Sequence, residues 1–344
     1  MAARILITGG AGFIGSNFTR RHHEPAVIID TVGMAPMHTK TDGTSTATLV
    51  TGSITDRKLL TALFAEHDFN TVVHFAAETH VDRSIDSPMD FVEANITGTA
   101  CLLEAARAAW GDRQDVRFHH VSTDEVYGSL GASGQFTEDS PYAPRNPYSA
   151  SKAASDHLVR AWHETYGLPV TISNCANNYG PYQFPEKLIP LTIMRALRHE
   201  SVPVYGTGAQ VRDWLHVDDH CRAIALIVQR GVNGRTYHIG AGDERRNIDV
   251  VRAVCDCLEE LRPSGLDGGY RGLIYLVEDR PGHDFRYAMD ATRIRDELGW
   301  VPEVGFDEGL RQTVRWYVEH PEWVAATRER YDGRRLGMLG KRER

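Results

Sequence analysis

Two groups of residues in this 344-residue chain have the types and spacing needed for proton transfer. The first is Thr123-Asp124-Glu125, which follows an apolar, β-branched run at 116–122 that is typical of a buried strand ending near Ser122. Open α/β sheets bind their ligands at the carboxyl ends of the strands. Two adjacent carboxyl groups are unfavourable to bury unless they have partners or a task. For this tripeptide alone, a solvated turn with a helix cap is the alternative.

The second group is Tyr148 and Lys152, at the start of a predicted helix. Asn146 is a favourable N-cap and Pro147 a favourable first helical residue. A spacing of four places Tyr148 and Lys152 on one helix face. We expect the ammonium to lower the pKa of the phenol, so that the phenolate can act as a base. A tyrosine and a lysine with this spacing also occur by chance on helix surfaces. Here the pair follows a nucleotide-binding half of the chain, which favours a catalytic role.

Together the two groups favour oxidation of an alcohol followed by loss of water. Removal of the hydroxyl proton, with loss of hydride from the carbon that bears it, gives a ketone whose oxygen Thr123 would hydrogen-bond. The ketone acidifies the neighbouring C–H bond. One carboxylate can abstract that proton while a second, protonated carboxyl serves a departing hydroxyl, and such pairs have different pKa values. Adjacent strand residues point to opposite faces, so residues 123–125 must already turn out of the sheet.

The elements that precede these groups indicate a dinucleotide-binding half. A buried apolar strand at 4–8 is followed directly by GGAGFIG at 9–15 and by a predicted helix from 16. This spacing gives a tight turn, close approach of the backbone to a pyrophosphate, and helix amides that face the phosphates. A second strand ends in Asp30, which is placed for the ribose hydroxyls. No arginine follows Asp30 directly, so NAD is favoured over NADP.

Further strands are predicted at 48–51, 71–76 and 168–174, and helices at 56–66, 88–110 and 147–166. Their alternation predicts an α/β fold, a Rossmann-type doubly wound parallel sheet with a smaller, mixed α/β C-terminal substrate lobe. We expect an NAD-binding domain at 1–178, rejoined near 211–241 and 286–298, and an interleaved substrate lobe over 179–340. Residues 34–47 are predicted to form a surface loop.

Composition excludes several classes of partner. The net charge of −8 argues against affinity for nucleic acid or an anionic membrane. The five cysteines show no metal-site or disulfide spacing, which fits a reducing compartment. Neither a signal peptide nor a membrane span is visible, so we expect the cytoplasm. The basic tail at 328–344 is predicted to be a frayed terminus and not a binding arm.

Longer blocks of sequence resemble the dTDP-glucose 4,6-dehydratase family of extended short-chain dehydrogenase/reductases. In chain order they are TGGAGFIGSNF, HFAAETHVDRSI, STDEVYG, YSASKAASDHLV, NCANNYGPYQFPEKLIP, RDWLHVDDHCRAI, DRPGHDFRYAMD and LGW. The blocks extend over nearly the whole chain and are far more specific than the glycine motif. The resemblance implies NAD-dependent dehydration of dTDP-glucose to dTDP-4-keto-6-deoxyglucose, with C4 oxidised, water eliminated across C5 and C6, and hydride returned to C6.

The resemblance also implies a role for each matching residue. Asp124 would be the acid for the C6 hydroxyl, Glu125 the base at C5, Tyr148 with Lys152 the base for the C4 hydroxyl, and Thr123 the partner of the C4 oxygen. NAD, tightly bound and regenerated in each turnover, would be held by Gly9, Gly12, Phe13, Ile14, Gly15, Asp30, Ser53, Ile54, Phe75, Ala76, Ala77, Thr79, Ala94, Ser122, Tyr148, Lys152 and Asn178. The sugar nucleotide would meet Thr79, Thr123, Asn177, Glu186, Lys187, Leu188, Pro203, Val204, Tyr205, Arg212, Asn247, Asp279, Arg280 and His283. The planar fork of Arg212 suits a diphosphate.

Three places depart from the family pattern. Residues 30–36 read DTVGMAP where DKLTYAG is usual, and Ser53 stands where an aspartate near the adenine is usual. Phe285 replaces a basic residue in the DRPGHD block. The first two changes affect the details of NAD affinity, and the third affects the nucleotide end of the substrate pocket. None of them touches the Thr-Asp-Glu or Tyr/Lys groups.

Other functions share part of this pattern. A sugar-nucleotide 4-epimerase would have the fold, NAD and the Tyr/Lys pair without needing two carboxyls to expel water, and a nucleotide-sugar decarboxylase would not need an acid for a C6 hydroxyl. A non-catalytic NAD-sensing scaffold would have little use for the Thr-Asp-Glu and Tyr/Lys groups together. The resemblance also implies a homodimer built on the helices at 88–110 and 147–166, although both could be ordinary helix-on-sheet surfaces. The thymine base rests on the resemblance alone.

Overall fold

The computed structural model describes residues 4–22, 24–31 and 47–328. The predicted loop at 34–47, except Ala47, and nearly all of the basic tail lie outside these ranges. The strands are β1 (Ile5–Thr8), β2 (Ala26–Asp30), β3 (Thr48–Thr51), β4 (Thr71–His74), β5 (Arg117–Thr123), β6 (Val170–Cys175), β7 (Asn177–Tyr179), β8 (Val202–Tyr205), β9 (Val211–His216), β10 (Thr236–Ile239), β11 (Glu244–Arg246) and β12 (Ile274–Val277). The α-helices are α1 (Phe13–Arg21), α2 (Arg57–Glu66), α3 (Val81–Asp86), α4 (Pro88–Phe91), α5 (Gly98–Trp110), α6 (Pro147–Tyr166), α7 (Leu188–Leu197), α8 (Val217–Arg230), α9 (Asn247–Leu261), α10 (Thr292–Leu298), α11 (Phe306–Glu319) and α12 (Pro321–Arg328).

A parallel sheet forms the centre of the molecule. In the described residues it has seven strands in the order β3-β2-β1-β4-β5-β6-β10, and every neighbouring pair is parallel. The strand order reverses between β1 and β4, which is where doubly wound folds bind dinucleotides. The predicted fold class is therefore confirmed.

Helices cover both faces of this sheet. On one face Leu6 and Phe118 pack in a core with side chains of α2, α5 and α6. On the other face Ile7 and Ile239 pack with side chains of α1, α8 and α10. Because both faces are covered, the inner strands are buried along nearly their whole length, as the sequence indicated. Each helix in the described ranges is too short or too polar to cross a membrane.

A separate core lies among the later elements. Its buried side chains come mainly from β8, α7, α9 and α11 and include Val204, Ile193, Val254 and Leu310. Two small sheets accompany it, β11-β9-β7 and β12-β8. The strand β10, which follows α8, returns to the edge of the central sheet beside β6. The exact division of the chain into two lobes stays a prediction.

The predicted helix at 88–110 is divided into three parts. Between α4 and α5 the segment Val92–Thr97 is π-helical. Its buried residue Asn95 accepts a hydrogen bond from the Glu78 amide at 2.8 Å and donates one to Ser151 at 2.8 Å. π-Helical turns are often found at functional sites. Here the turn ties the segment after β4 to helix α6. The other predicted elements end within a few residues of the observed ones.

Candidate active site

The chain turns out of the sheet at the acidic pair. Strand β5 ends at Thr123, and Asp124–Tyr127 form a 3₁₀ turn. The Thr123 hydroxyl accepts a hydrogen bond from the Glu125 amide at 3.3 Å and donates one to Asp124 at 3.2 Å. The carboxyls of Asp124 and Glu125 both raise the pKa of the Tyr148 phenol, so the three groups form one cluster. The chain therefore turns out of the sheet at the acid pair, as it must for both carboxyls to reach one pocket.

Helix α6 begins as the sequence predicts. The Asn146 side chain accepts a hydrogen bond from the Ser149 amide at 2.8 Å, and the Ser149 side chain reaches back to the Asn146 amide. Pro147 is the first helical residue. This capping box fixes the first turn, which carries Tyr148. Both Tyr148 and Lys152 are buried against the carboxyl end of β5.

The two carboxyls differ in their electrostatic surroundings. Burial and then the neighbouring Glu125 hold the pKa of Asp124 well above its ordinary value. Burial also raises the pKa of Glu125, but Arg280, Lys187 and Arg212 oppose that rise. Asp124 is thus the group that keeps a proton more readily, and Glu125 is the better candidate for the ionised base. Asp124 Oδ2 and Glu125 Oε2 are buried without a hydrogen-bond partner among the described residues.

The pKa of Tyr148 is raised and not lowered. Burial is the main cause, and the charge of Glu125 adds to it, whereas a hydrogen bond with Thr123 opposes it. The Lys152 ammonium donates to the Val121 carbonyl at 2.9 Å. The expected lowering of the Tyr148 pKa is therefore wrong for the chain without ligands, because burial and the charge of Glu125 raise it.

The glycine-rich turn is packed closely against the segment after β4. Gly9 has a φ of +71°, and a Cβ there would lie 2.5 Å from the Ala76 nitrogen. A Cβ on Gly15 would lie 2.3 Å from the Gly9 oxygen. The Asp30 carboxylate accepts a hydrogen bond from the Ala11 amide at 3.0 Å, and this bond joins the end of β2 to the turn. This is the geometry that a bound pyrophosphate requires.

The remaining residues predicted to hold NAD surround the same crevice. Phe13 and Ile14 open α1, Phe75, Ala76, Ala77 and Thr79 follow β4, Ile54 lies against Gly98, and Ala94 is in the π-helical turn. Ser53 hydrogen-bonds Thr55 at 2.8 Å, so its hydroxyl serves the turn before α2. Ser122 Oγ is buried without a protein partner in the described ranges. Asn178 is held by His220 at 2.9 Å.

Cationic residues from the later part of the chain approach the acid pair. Lys187 donates to the Thr79 carbonyl at 2.8 Å. Arg280 is ion-paired with Asp82, which also accepts a hydrogen bond from the Tyr205 hydroxyl at 2.8 Å. With Arg212, these cations supply the positive charge felt by Glu125. They make this side of the cleft suitable for a phosphate-bearing ligand.

Arg212 is more engaged with the protein than its predicted role suggests. Its guanidinium donates to the carbonyls of Val211 at 2.8 Å and Asp284 at 2.9 Å and lies 4.3 Å from the centre of the Tyr287 ring. It therefore fixes the segment around Asp284. The predicted contact with a diphosphate stays a prediction.

The other residues predicted to contact the substrate differ in whether their side chains already have partners within the protein. His283 contacts Asp279 at 2.6 Å, and Glu186 is ion-paired with Arg83 at 2.9 Å. Buried side-chain oxygens that have no partner in the described chain, and so are open to a ligand, belong to Asn177 and Asn247. Pro203 lies on β8 and Leu188 begins α7. Val204 packs in the core of the later elements, so only its backbone can reach a ligand.

Three residues that the sequence did not single out support this cluster. Asp82 joins Arg280 to Tyr205, and Asn95 joins the segment after β4 to α6. Asp213, whose pKa burial raises to about 6, adds to the raised pKa of Asp124. Asp82 lies within the block HFAAETHVDRSI, and that block was the signal that could have identified it.

The fold and the site together define a class of protein. A doubly wound sheet with a glycine-rich first turn, and a buried Tyr/Lys pair at the carboxyl edge, is the arrangement of an extended short-chain dehydrogenase/reductase. The acid pair after β5 is the feature that distinguishes this chain within the class.

Comparison with known proteins identifies the family. The profile described as GDP-mannose 4,6 dehydratase matches residues 6–313. The dTDP-glucose 4,6-dehydratase of Xanthomonas campestris pv. campestris (strain B100) is 51% identical over 330 residues, which are 93% of this chain and 94% of that protein. The chain belongs to the nucleotide-sugar 4,6-dehydratase family and, within it, to the dTDP-glucose 4,6-dehydratases.

Two solved structures of this family superpose closely. A double mutant of DesIV, the dTDP-glucose 4,6-dehydratase of Streptomyces venezuelae, with NAD and DAU bound, gives a TM-score of 0.85 at 43% identity. The match extends over 94% of this chain and 99% of DesIV. The dTDP-glucose 4,6-dehydratase of Bacillus anthracis in complex with NAD gives 0.84 at 40% identity, with coverage of 95% and 100%.

Proposed function

We propose that this chain catalyses the NAD-dependent dehydration of dTDP-glucose to dTDP-4-keto-6-deoxyglucose. The observation that carries the proposal is the buried pair Asp124 and Glu125, which lies beside Tyr148 and has two carboxyl oxygens open to a ligand. Elimination of water needs an acid and a base, and this pair offers both. The names of the relatives and the nucleotides bound in the solved structures support the same reaction.

NAD fits the crevice at the reversal of the strand order. The tight glycine turn leaves the backbone exposed to a pyrophosphate, Asp30 is at the end of β2, and Ser122 Oγ has an open hydrogen-bonding position. When bound, NAD would supply the group that takes a hydride from C4 of the sugar and returns it to C6. Every remaining step is a proton transfer or a binding contact made by the chain itself.

The first step is removal of the C4 hydroxyl proton by Tyr148. Because the pKa of this phenol is raised in the chain without ligands, the Lys152 ammonium must favour the phenolate, and bound NAD would add positive charge. Thr123, whose hydroxyl opposes the rise in the Tyr148 pKa, is placed to hydrogen-bond the C4 oxygen.

The second step is loss of water across C5 and C6. The C4 ketone acidifies the C5 proton, which Glu125 removes. Asp124, the carboxyl with the more strongly raised pKa, gives its proton to the C6 hydroxyl, which leaves as water. Once hydride has reached C6, Glu125 returns its proton to C5. The acid and the base are thus assigned by their surroundings.

The proton balance of this reaction assigns a further task to Thr123. At the end of a turnover, Tyr148 holds the proton from the C4 hydroxyl and Asp124 lacks the proton that left with water. One proton must therefore pass from Tyr148 to Asp124 before the next cycle. The Thr123 hydroxyl donates to Asp124 at 3.2 Å and opposes the rise in the Tyr148 pKa, so it is suited to pass this proton.

The sugar nucleotide would lie between this cluster and the later elements. The cations Lys187, Arg280 and Arg212 are suited to its diphosphate, and the open oxygens of Asn177 and Asn247 to hydroxyl or base groups. We assign these contacts to a substrate lobe over 179–340, and the cofactor to a domain at 1–178 rejoined by 211–241 and 286–298. The separate core of the later elements supports that division.

The purified protein should be offered dTDP-glucose, UDP-glucose and GDP-mannose, and each product identified by its mass. We expect the dTDP-sugar to lose one water with no net formation of reduced nicotinamide. A product of unchanged mass would instead indicate a 4-epimerase, and release of carbon dioxide from a uronic acid substrate would indicate a decarboxylase. Binding of NAD without turnover of any sugar nucleotide would leave the scaffold function.

We also propose a homodimer built on the helical segments 88–110 and 147–166. Their exposed apolar side chains support this, since Met89 is 69% exposed and Tyr166 is 53% exposed. Sedimentation of the wild type and of Met89→Glu tests the assembly, and we expect the variant to dissociate at concentrations where the wild type stays dimeric. The five free thiols fit the reducing cytoplasm that we propose as its location.

A further inference from the structure

Lys152 contacts buried polar groups that the reaction above does not use. Its Nζ atom lies 3.4 Å from Nε2 of His120, and that nitrogen lies 3.2 Å from an Asp156 carboxylate oxygen. The His120 and Asp156 side chains are fully buried, and Lys152 is 4% exposed. Burial of three titratable groups is unfavourable for folding unless they satisfy one another or serve a function.

The positions of these groups follow from the periodicity of two elements. Tyr148, Lys152 and Asp156 are spaced four apart on α6, so they form one stripe along the helix. His120 and Ser122 are two apart on β5, so they share the face of the strand. The stripe meets this face, and one nitrogen of the His120 ring, Nε2, contacts both the ammonium of Lys152 and the carboxylate of Asp156.

We propose that Asp156 is a positioning residue, which acts through the imidazole of His120 to hold Lys152 charged and fixed at the carboxyl end of β5. The proposal rests on the proposed function, because the Lys152 ammonium acts there by favouring the Tyr148 phenolate. With Nε2 unprotonated, His120 accepts a hydrogen bond from the Lys152 ammonium. Asp156 Oδ1 contacts the same nitrogen at 3.2 Å without a hydrogen bond. The carboxylate lies within about 7 Å of the ammonium, in a medium where charges interact strongly.

Asp156 is itself held by two further side chains. Its second carboxylate oxygen accepts hydrogen bonds from the Tyr142 hydroxyl at 2.7 Å and from Asn174 at 3.2 Å. Arg160 in turn donates to Tyr142 at 2.7 Å. Burial opposes ionisation, but the contacts with His120, Lys152 and Tyr142 lower the pKa of Asp156 below its ordinary value. The carboxylate therefore stays charged at neutral pH.

The titratable groups that face Lys152 single out Asp156 as the counter-charge. Burial lowers the pKa of His120 to about 4 and that of His74 on β4 well below its ordinary value, so both rings are neutral. Burial raises the pKa of the Cys175 thiol on β6, and that of Tyr148 on the helix. Burial lowers the pKa of Lys152 to about 8, and Asp156 is the main group that opposes this. Loss of the Asp156 charge should therefore leave Lys152 neutral at assay pH.

The pH dependence of turnover tests the proposal. In Asp156→Asn the Lys152 pKa falls further, so the alkaline limb of the kcat/KM profile should move to lower pH by roughly 1–2 units. Asp219→Asn is the matched control, because Asp219 is a buried carboxylate that holds the Glu303 and Val304 amides far from Lys152. We expect the control to be less stable with an unmoved pH profile. Equal profiles for the wild type and Asp156→Asn would overturn the proposal.

A second measurement does not depend on turnover. Urea unfolding of Asp156→Asn, Lys152→Met and the double variant forms a double-mutant cycle. We expect Asp156→Asn to destabilise the wild type strongly and the Lys152→Met background much less; additive effects would refute the coupling. If Asp156→Asn does not fold, His120→Gln replaces it. We expect His120→Gln to move the alkaline limb of the kcat/KM profile to lower pH as well. Absence of dehydration in the wild type would refute the proposed function, while the cycle would still decide whether Asp156 and Lys152 are coupled.

Discussion

Replacement of Glu125 by glutamine separates the two halves of the proposed reaction. Gln has the shape of Glu but cannot remove the C5 proton. It also removes the charge that, after burial, most raises the pKa of both Asp124 and Tyr148. Oxidation at C4 should therefore proceed at least as readily as in the wild type, whereas elimination of water should fail.

The size of the loss follows from the role of a general base. Positioned bases contribute about 10²–10⁴-fold to a rate, which corresponds to about 3–5 kcal/mol of transition-state stabilisation. Folding should not suffer, because the buried Glu125 Oε2 has no hydrogen-bond partner to lose among the described residues. Glu125→Gln should thus be as stable as the wild type, and its kcat at least about 10²-fold lower.

Stopped-flow absorbance and product mass measure the two halves separately. On mixing with dTDP-glucose, Glu125→Gln should accumulate reduced nicotinamide on the enzyme at a normal rate and form almost no dehydrated product. Glu138→Gln is the matched control, since this half-buried glutamate lies outside the cleft, and it should turn over like the wild type. Dehydration by Glu125→Gln within tenfold of the wild-type rate would refute the assignment of the base.

Three further predictions concern other groups of the site. Tyr148→Phe should fail before oxidation, so that no reduced nicotinamide forms, and kcat should fall by about 10²–10⁴-fold; near-normal loss of water would show that the phenol is not the base. Asp124→Asn should abolish elimination but give a higher Tm near pH 7. The pKa of Asp124 is raised in the folded state, so the stability of the wild type declines as the pH rises from about 4. A difference in Tm between the two proteins that does not vanish at lower pH would contradict this. Gly15→Ala should be purified with less bound nicotinamide and a lower Tm, because its Cβ would lie 2.3 Å from the Gly9 oxygen; full cofactor content would argue against that turn as the pyrophosphate site.

The features that the sequence predicted well are set by neighbours along the chain. The start of helix α6 depends on Asn146 and Pro147, and the turn at Thr123 on the two residues after it. The strands of the central sheet were visible because a sheet covered on both faces needs buried, largely apolar segments. Such signals lie within one turn or one strand, so a single sequence contains them.

The features that the sequence did not predict depend on contacts between distant segments. Asp82 meets Arg280 across nearly two hundred residues of chain, and Asn95 meets Ser151 across fifty-six. The π-helical turn at Val92–Thr97 has no simple pattern in a window of residues. The direction of the Tyr148 pKa was misjudged for the same reason, since the four-residue spacing shows the ammonium but not the depth of burial.

The difference between the two carboxyls also depends on distant segments. Asp124 and Glu125 are neighbours on the chain and both are buried, so local sequence cannot distinguish acid from base. The distinction comes from Lys187, Arg212 and Arg280, which the later part of the chain supplies and which oppose the rise in the Glu125 pKa. In the proposed reaction the substrate diphosphate would partly neutralise these same cations. The pKa of Glu125 should then rise when the substrate binds, which makes it a stronger base in the complex than in the free enzyme.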